Sequence, residues 1–278
     1  MARPVRSLAL HGISVVAATA MVAPLVWVIV SSLRENEAIF RDTMPLTLGA
    51  FLPLGDVDLD AYIALFAERG FGRALLNTLL VAGAAIIGSL IVNGLAGFVF
   101  AKYEFRYRNA LFVAVLISFM IPFEAIALPL YTMMRQTNLL DTYWALILPA
   151  IPNGVLVFMF RQFFQGVPHE IFEAAELDGA GTLSILWNVY APLARPLLLT
   201  GGLLVFLEQW QSFMWPLLAI QTDSRKVVQV VIAELSTEDL TAWNEIFAAG
   251  VISLLIPLLV LVRLQKYYTS AYLSSGSK

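Results

Sequence analysis

Six apolar runs, each close to the length of a bilayer crossing, constrain the fold more than any other feature of the sequence. They cover about residues 8–33, 74–101, 111–134, 142–164, 197–220 and 246–264. A helix needs roughly 20 predominantly apolar residues to cross a hydrocarbon core. The backbone inside lipid must satisfy its own hydrogen bonds, so such runs fold as helices. The chain is 59% hydrophobic and 13% charged, against about half and about a quarter for a soluble domain. The pattern predicts an all-α membrane protein with six transmembrane helices, forming a single domain over 1–278.

The runs differ in detail. Arg3 and Arg6 precede the first, and Ala18-Thr19-Ala20 loosely resembles a cleavage site. The run is longer than a usual signal core, which predicts a retained helix. The second is rich in small residues (Gly83, Gly88, Ser89, Gly94, Gly97) that let membrane helices approach closely. Pro122 and Pro129 interrupt the third, and Pro149 and Pro152 the fourth, where helices bend. In the polar interval 34–73, Asp58 or Asp60 is placed to cap a short interfacial helix holding Tyr62, Ile63, Leu65 and Phe66. With the N-terminus inside, ten of the 17 basic residues fall on inner segments, among them Arg3, Arg6, Lys102, Arg106, Arg108, Lys266 and Lys278. That bias predicts cytoplasmic N- and C-termini. Tyr267 and Tyr268 beside Lys266 suit an inner aromatic belt.

Several chemistries are excluded by the residues themselves. Without cysteine there is no disulfide and no thiolate metal site. His11 and His169 lack metal-ligand spacing to each other or to acids. No phosphate-binding loop of the G-x-x-x-x-G-K-[ST] type occurs, and Gly179-Ala180-Gly181 lacks the third glycine of a dinucleotide fingerprint. No local elbow motif supports a serine nucleophile, no metal site is expected, and no nucleic-acid partner is expected.

Two acids fall inside predicted spans, Glu124 and Glu208. Ionisable groups at membrane depth are costly and mark pathways or partners. Glu208 opens the polar cluster Glu208-Gln209-Trp210-Gln211-Ser212, whose carboxylate, amides and indole suit the hydroxyls and ring face of a sugar. Asn77, Asn93 and Asn153 read as hydrogen-bond partners between helices.

The most distinctive polar stretch is 168–196, PHEIFEAAELDGAGTLSILWNVYAPLARP. Pro168 suits a first helical position, and Glu170, Glu173 and Glu176 follow near the helix start. Gly179 can end that helix in a left-handed cap. Thr182 is placed to cap a second helix that Pro192 would end or bend. Glu173-Ala174-Ala175, then Asp178-Gly179-Ala180, then Val189, Pro192 and Pro196, resembles the EAA loop of binding-protein-dependent ABC importer permeases of the maltose type. The resemblance extends to Leu76-Asn77-Thr78-Leu79, Ala101-Lys102-Tyr103, Ile121-Pro122, Thr142-Tyr143-Trp144-Ala145 and Trp215-Pro216-Leu217-Leu218. Departures include Leu186, Val189 and Ala191, Trp187-Asn188 where basic residues are common, and Gln211-Ser212 after Trp210.

The resemblance implies a type I permease of the smaller-subunit kind in the cell (inner or plasma) membrane. It implies a second permease subunit, two ABC ATPases that hold ATP and Mg²⁺, and an extracytoplasmic substrate-binding protein. Residues 165–196 would be the cytoplasmic coupling loop, with Glu173, Ala174, Ala175, Asp178, Gly179 and Ala180 meeting an ATPase. Glu124, Glu208, Gln209, Trp210 and Gln211 are the candidate pathway residues, and a sugar or polyol the expected solute. An amino-acid or peptide permease, an ion-coupled transporter carrying protons on Glu124 and Glu208, and an intramembrane enzyme are the alternatives.

Overall fold

The computed structural model describes residues 2–41, 47–52, 57–237 and 242–275. Lys278 and the side chains of Arg3, Arg6, Lys266, Tyr267 and Tyr268, used above for orientation and the inner belt, lie outside that description. The described residues are helical and contain no strand, as the apolar runs require. Three helices are long and apolar enough to cross a membrane unaided, and three bent pairs bring the total to six if each pair is one crossing.

By contact, the chain forms two compact units, residues 1–72 with 231–258 and residues 73–230 with 259–278. In the first unit, α1 (Ala2–Ser31) precedes the short α2 (Asp60–Ala67). Trp27 meets Phe247 edge-on at 5.1 Å, and Arg69 pairs with Glu245 at 2.9 Å. Asn36 caps the start of α14 (Trp243–Ser275) by accepting from the Trp243 N–H. Leu59 is the residue before α2, and Asp58 accepts from the Asp60 N–H at 2.7 Å. Of the two expected acids, Asp58 serves the helix start and Asp60 is its first residue.

The second unit holds α3 (Phe71–Lys102, from Arg73 on) and the bent pairs. The pair α4 (Arg108–Ser118) and α5 (Phe123–Gln136) turns by 95°. At 1.5 Å per residue neither reaches about 30 Å alone. Pro122 stands at the break, whereas Pro129 sits inside α5 without breaking it. The pair α6 (Tyr143–Ala150) and α7 (Gly154–Gly166) bends by 41° around Ile151-Pro152-Asn153, with Pro149 inside α6.

Residues 168–196 form α8 (His169–Leu177), α9 (Thr182–Ile185), a π-helical turn over Leu186–Tyr190 and α10 (Ala191–Leu193). An 86° bend then leads into α11 (Arg195–Gln211). It falls at Ala194, two residues beyond Pro192. Pro196 has no N–H to give the carbonyl four residues back, which removes the bond that would have straightened the chain there. The apolar run expected over 197–220 is also not one helix. It breaks at Ser212-Phe213 and resumes as α12 (Met214–Ala219). The short α13 (Val228–Leu235) follows.

Close packing holds this unit together. A Cβ on Gly97 would lie 2.5 Å from the Cβ of Phe160, and one on Gly88 would lie 2.8 Å from Ile151. The small residues of α3 thus admit α7 and the α6–α7 break, as the sequence suggested. Gly83 is different: among the described residues, nothing beyond its own stretch of helix lies within 4 Å of its missing Cβ.

Candidate functional site

Two places carry the chemistry that the sequence singled out. The first is where three helix breaks converge. Phe119, at the α4–α5 break, packs on the first residue of α7, so closely that a Cβ on Gly154 would lie 2.4 Å from its ring. Just beyond that break, Phe123 meets Trp215 of α12 edge-on at 6.1 Å. The Trp215 indole N–H donates to the Ala145 carbonyl at 2.8 Å.

Asn153 joins the α6–α7 break to α11. Its Oδ1 accepts from the Leu156 N–H at 3.1 Å, capping α7, and its Nδ2 donates to Glu208 Oε2 at 3.1 Å. The Asn153 N–H donates to Asn93 Oδ1 at 2.9 Å, and Asn93 Nδ2 donates to the Ile151 carbonyl at 2.8 Å and to Ser89. One polar chain therefore runs from α3 through the break to Glu208. It satisfies backbone groups that a broken helix exposes, the condition under which a break survives at membrane depth. Asn93 and Asn153 bond between helices as expected. Asn77 does so too, accepting from the Tyr143 hydroxyl of α6 at 2.8 Å, and it also donates to the loop carbonyls of Ser224 and Lys226.

The candidate pathway residues divide. Glu208 and Gln211 are exposed, Gln209 is half-buried, and Glu124 is exposed in the first turn of α5, where free N–H groups favour a negative charge. Trp210 is only 3% exposed and its ring stacks on Phe206 at 5.5 Å. Its indole face is thus occupied by the chain itself in this conformation. Gln229 Nε2 donates to the Trp210 carbonyl, at the open end of α11.

The second place is α8. Pro168 is its N-cap, one position earlier than expected. Gly179 has φ +81°, and its N–H donates to the Glu176 carbonyl while that of Ala180 donates to Ala175. This pair of bonds is a Schellman closure, and it explains the glycine. Among the described residues, no atom beyond Gly179 and its chain neighbours lies within 4 Å of the Gly179 Cβ position. Glu173, Ala174, Glu176, Asp178 and Gly179 are exposed, and Leu177 is 89% exposed, whereas Ala175 and Ala180 turn inward onto the core. Thr182 makes no cap. Gly181 precedes α9, and the Thr182 hydroxyl bonds to the Tyr103 hydroxyl at 2.8 Å.

Two residues escaped the sequence reading. Phe172 is the buried residue of α8, and its only sequence signal is an aromatic amid acids and alanines. Asp141, in the turn after α5, has φ +56° and binds the turn after α12. Its carboxylate accepts from the Gln221 and Thr222 N–H groups at 3.1 and 2.9 Å, from the Thr222 hydroxyl, and from Arg225 at 2.9 Å. The Thr222 hydroxyl and N–H chiefly, with the Gln221 N–H and Arg225 guanidinium, hold its pKa down at about 2 against a usual 3.8. Aspartate tolerates the left-handed conformation, but nothing in the sequence pairs residue 141 with residue 222.

Broken, apolar helices joined by a polar chain, with the exposed α8 between them in sequence, suit a membrane transport component. The sequence comparisons agree: residues 93–272 match the family described as the binding-protein-dependent transport system inner membrane component, and the chain belongs to that family. It is a permease subunit of an ABC importer. It is 32% identical over 263 residues to the arabinooligosaccharides transport system permease protein AraQ of Halalkalibacterium halodurans, covering 92% of this chain and 91% of that one. It is 28% identical over 269 residues to the sn-glycerol-3-phosphate transport system permease protein UgpE of Rhizobium meliloti, covering 96% and 95%. It is 26% identical over 259 residues to the lactose transport system permease protein LacG of Rhizobium radiobacter, covering 93% and 92%. In fold it matches a chain of a bacterial ABC transporter involved in import of the acidic polysaccharide alginate, with TM-score 0.82 and 20% identity over 95% of this chain and 96% of that one. Family membership sets aside the ion-coupled transporter.

Proposed function

We propose that this chain is the smaller-type permease of an ATP-driven importer for a sugar or related polyol. A second permease completes the pathway, two ATPases holding ATP and Mg²⁺ clamp the cytoplasmic face, and an extracytoplasmic binding protein delivers the solute. N- and C-termini and residues 165–196 are cytoplasmic on this reading, in the inner or plasma membrane of the cell. The chain holds no cofactor and catalyses nothing.

The observation that carries the reading is α8. It is short, closed at its end by Gly179, and presents Leu177 at 89% exposure. Ile171, Leu183 and Trp187 of the same stretch are exposed with it, and exposed apolar residues gathered on one segment suit a partner's surface. Glu173, Ala174, Asp178 and Gly179 share that exposed surface, while Ala175 and Ala180 set the helix on the core. Closure of the ATPases on ATP pushes α8 and shifts the bundle between two states.

For the solute, the reading rests on Glu208, Gln209 and Gln211 beside Asn153, a run of carboxylate and amide groups matched to hydroxyls. Glu124 lines the approach, and Trp210 supports the cluster from within unless it turns out in another state. Two of the named relatives carry sugars or sugar oligomers in their names, which favours the same class over amino acids or peptides. Reconstitution tests this directly. Uptake of a neutral sugar or polyol should require ATP, the ATPases and the cognate binding protein together. Uptake of an amino acid or peptide under those conditions refutes the solute class. Uptake driven without the ATPases refutes the mechanism.

A further inference from the structure

The helix α8 faces two ways. Its open side offers Glu173, Ala174 and Leu177, while its one buried residue, Phe172, is 5% exposed. The Phe172 ring lies 6.1 Å from Phe98 and 5.8 Å from Tyr103, and the His169 imidazole stacks on it at 5.6 Å with an interplanar angle of 9°. Phe98 in turn lies 5.8 Å from Phe164 and 5.1 Å from Tyr190. Phe98 and Tyr103 mark the end of α3, Phe164 belongs to α7, and Tyr190 closes the π-helical turn. One ring of α8 thus reaches a cage fed by three other segments. Lys102 strengthens the seat: its ammonium donates to the Val167 carbonyl at 2.7 Å and lies 5.3 Å from the centre of the Tyr190 ring.

We infer that Phe172 is the positioning residue through which a displacement of α8 reaches α3 and α7. The inference rests on α8 being the ATPase-docking helix. Packed aromatic cores do not compress, so a push on one ring moves its neighbours. The other apolar residues packed on that core are Ala175 and, just past the end of α8, Ala180, which are too small to wedge it, while Glu170 adds an electrostatic attraction to Lys102. With the ring gone, α8 can slide into the space left behind while α3 and α7 stay in place. The exposed residues Glu173, Ala174, Leu177, Asp178 and Gly179 then act as the surface that is pushed, and Phe172 as the part that passes the push on.

The test uses the whole complex in proteoliposomes, with ATP and vanadate as the probe. The chain has no cysteine, so spin labels can be placed at Leu76→Cys and Leu128→Cys, both on exposed helix positions. In the native background, ATP and vanadate shift the distance distribution between them. In Phe172→Ala the ATPases stay attached and hydrolyse ATP, but the shifted population falls by at least about fivefold, the low end of usual coupling energies. Phe172→Tyr restores it. An unchanged shift in Phe172→Ala, or loss of the ATPases from it, overturns the inference. Should Phe172→Ala not accumulate, Phe98→Leu carries the same expectation, and failure of both to accumulate also overturns it, because the ring then serves folding alone. Leu177→Asp separates the two layers. If it leaves the ATPases attached, the docking reading fails. If it detaches them while Phe172→Ala shifts normally, the transmission role alone fails.

Discussion

Replacing Gly97 by alanine should loosen the packing of α3 on α7. The new Cβ would stand 2.5 Å from the Cβ of Phe160, 3.0 Å from the Arg161 nitrogen and 3.2 Å from the Phe160 carbonyl carbon. These atoms are main chain or fixed to it, so no rotamer change relieves them and the helices must part. Overpacking of this kind costs about 1–3 kcal/mol. Alanine recovers about 1 kcal/mol of helix propensity, leaving a net loss of roughly 0–2 kcal/mol. Gly83→Ala on the same helix isolates the clash. It gains the same propensity and meets nothing within 4 Å. The two variants should therefore differ by about 1–3 kcal/mol, or several degrees in unfolding midpoint at roughly 2–4 °C per kcal/mol. Thermal unfolding of the purified complex in one detergent measures this difference. A Gly97→Ala midpoint equal to or above that of Gly83→Ala refutes the packing argument.

Other outcomes follow from the site. Asn153→Ala removes the α7 cap, worth about 1 kcal/mol, and the bond to Glu208, worth about another in a membrane interior. A double-mutant cycle with Glu208→Ala, which removes the acceptor, should show favourable coupling, and strict additivity in unfolding midpoints would dissolve the link. Gly179→Ala forces a side chain into a left-handed backbone at a cost of about 1–2 kcal/mol. It should weaken ATPase attachment on co-purification, whereas wild-type attachment would show that the Schellman closure is dispensable. Asp141 predicts a pH dependence. Its folded pKa lies below the unfolded value, so its stabilisation is full above the usual 3.8 and is lost as pH falls through about 2. The melting difference between wild type and Asp141→Asn should shrink as pH is lowered across that window, and a constant difference argues against the carboxylate clamp.

The all-helical membrane class was legible in the sequence because apolar length alone decides it. The closed end of α8 was legible too, since Gly179 at a helix end has a local cause. Asn93 and Asn153 were recognisable as interhelical partners because buried amides in lipid must find acceptors. Exposure on α8 was partly hidden: Glu173 and Ala175 look alike as members of one motif, yet only the packed chain turns Ala175 inward and Glu173 out. The bend at Ala194 has a local cause in Pro192 and Pro196, whereas the break at Ser212-Phe213 falls inside a run that reads as one crossing. Trp210 shows the same limit, for its ring is taken by Phe206 on its own helix, and neighbouring elements then bury it.

Sequence by itself therefore determined the solvent, the helical class and the local turn chemistry, because these depend on residues close in the chain. Tertiary structure alone decided that Asn153 meets Glu208, that Asp141 clasps Thr222 and Arg225, and that Phe172 enters the cage of Phe98 and Tyr103. Those pairs stand 55, 81, 84, 74 and 69 residues apart in the chain. Contacts at such separations follow from how whole helices pack, and no local pattern encodes them.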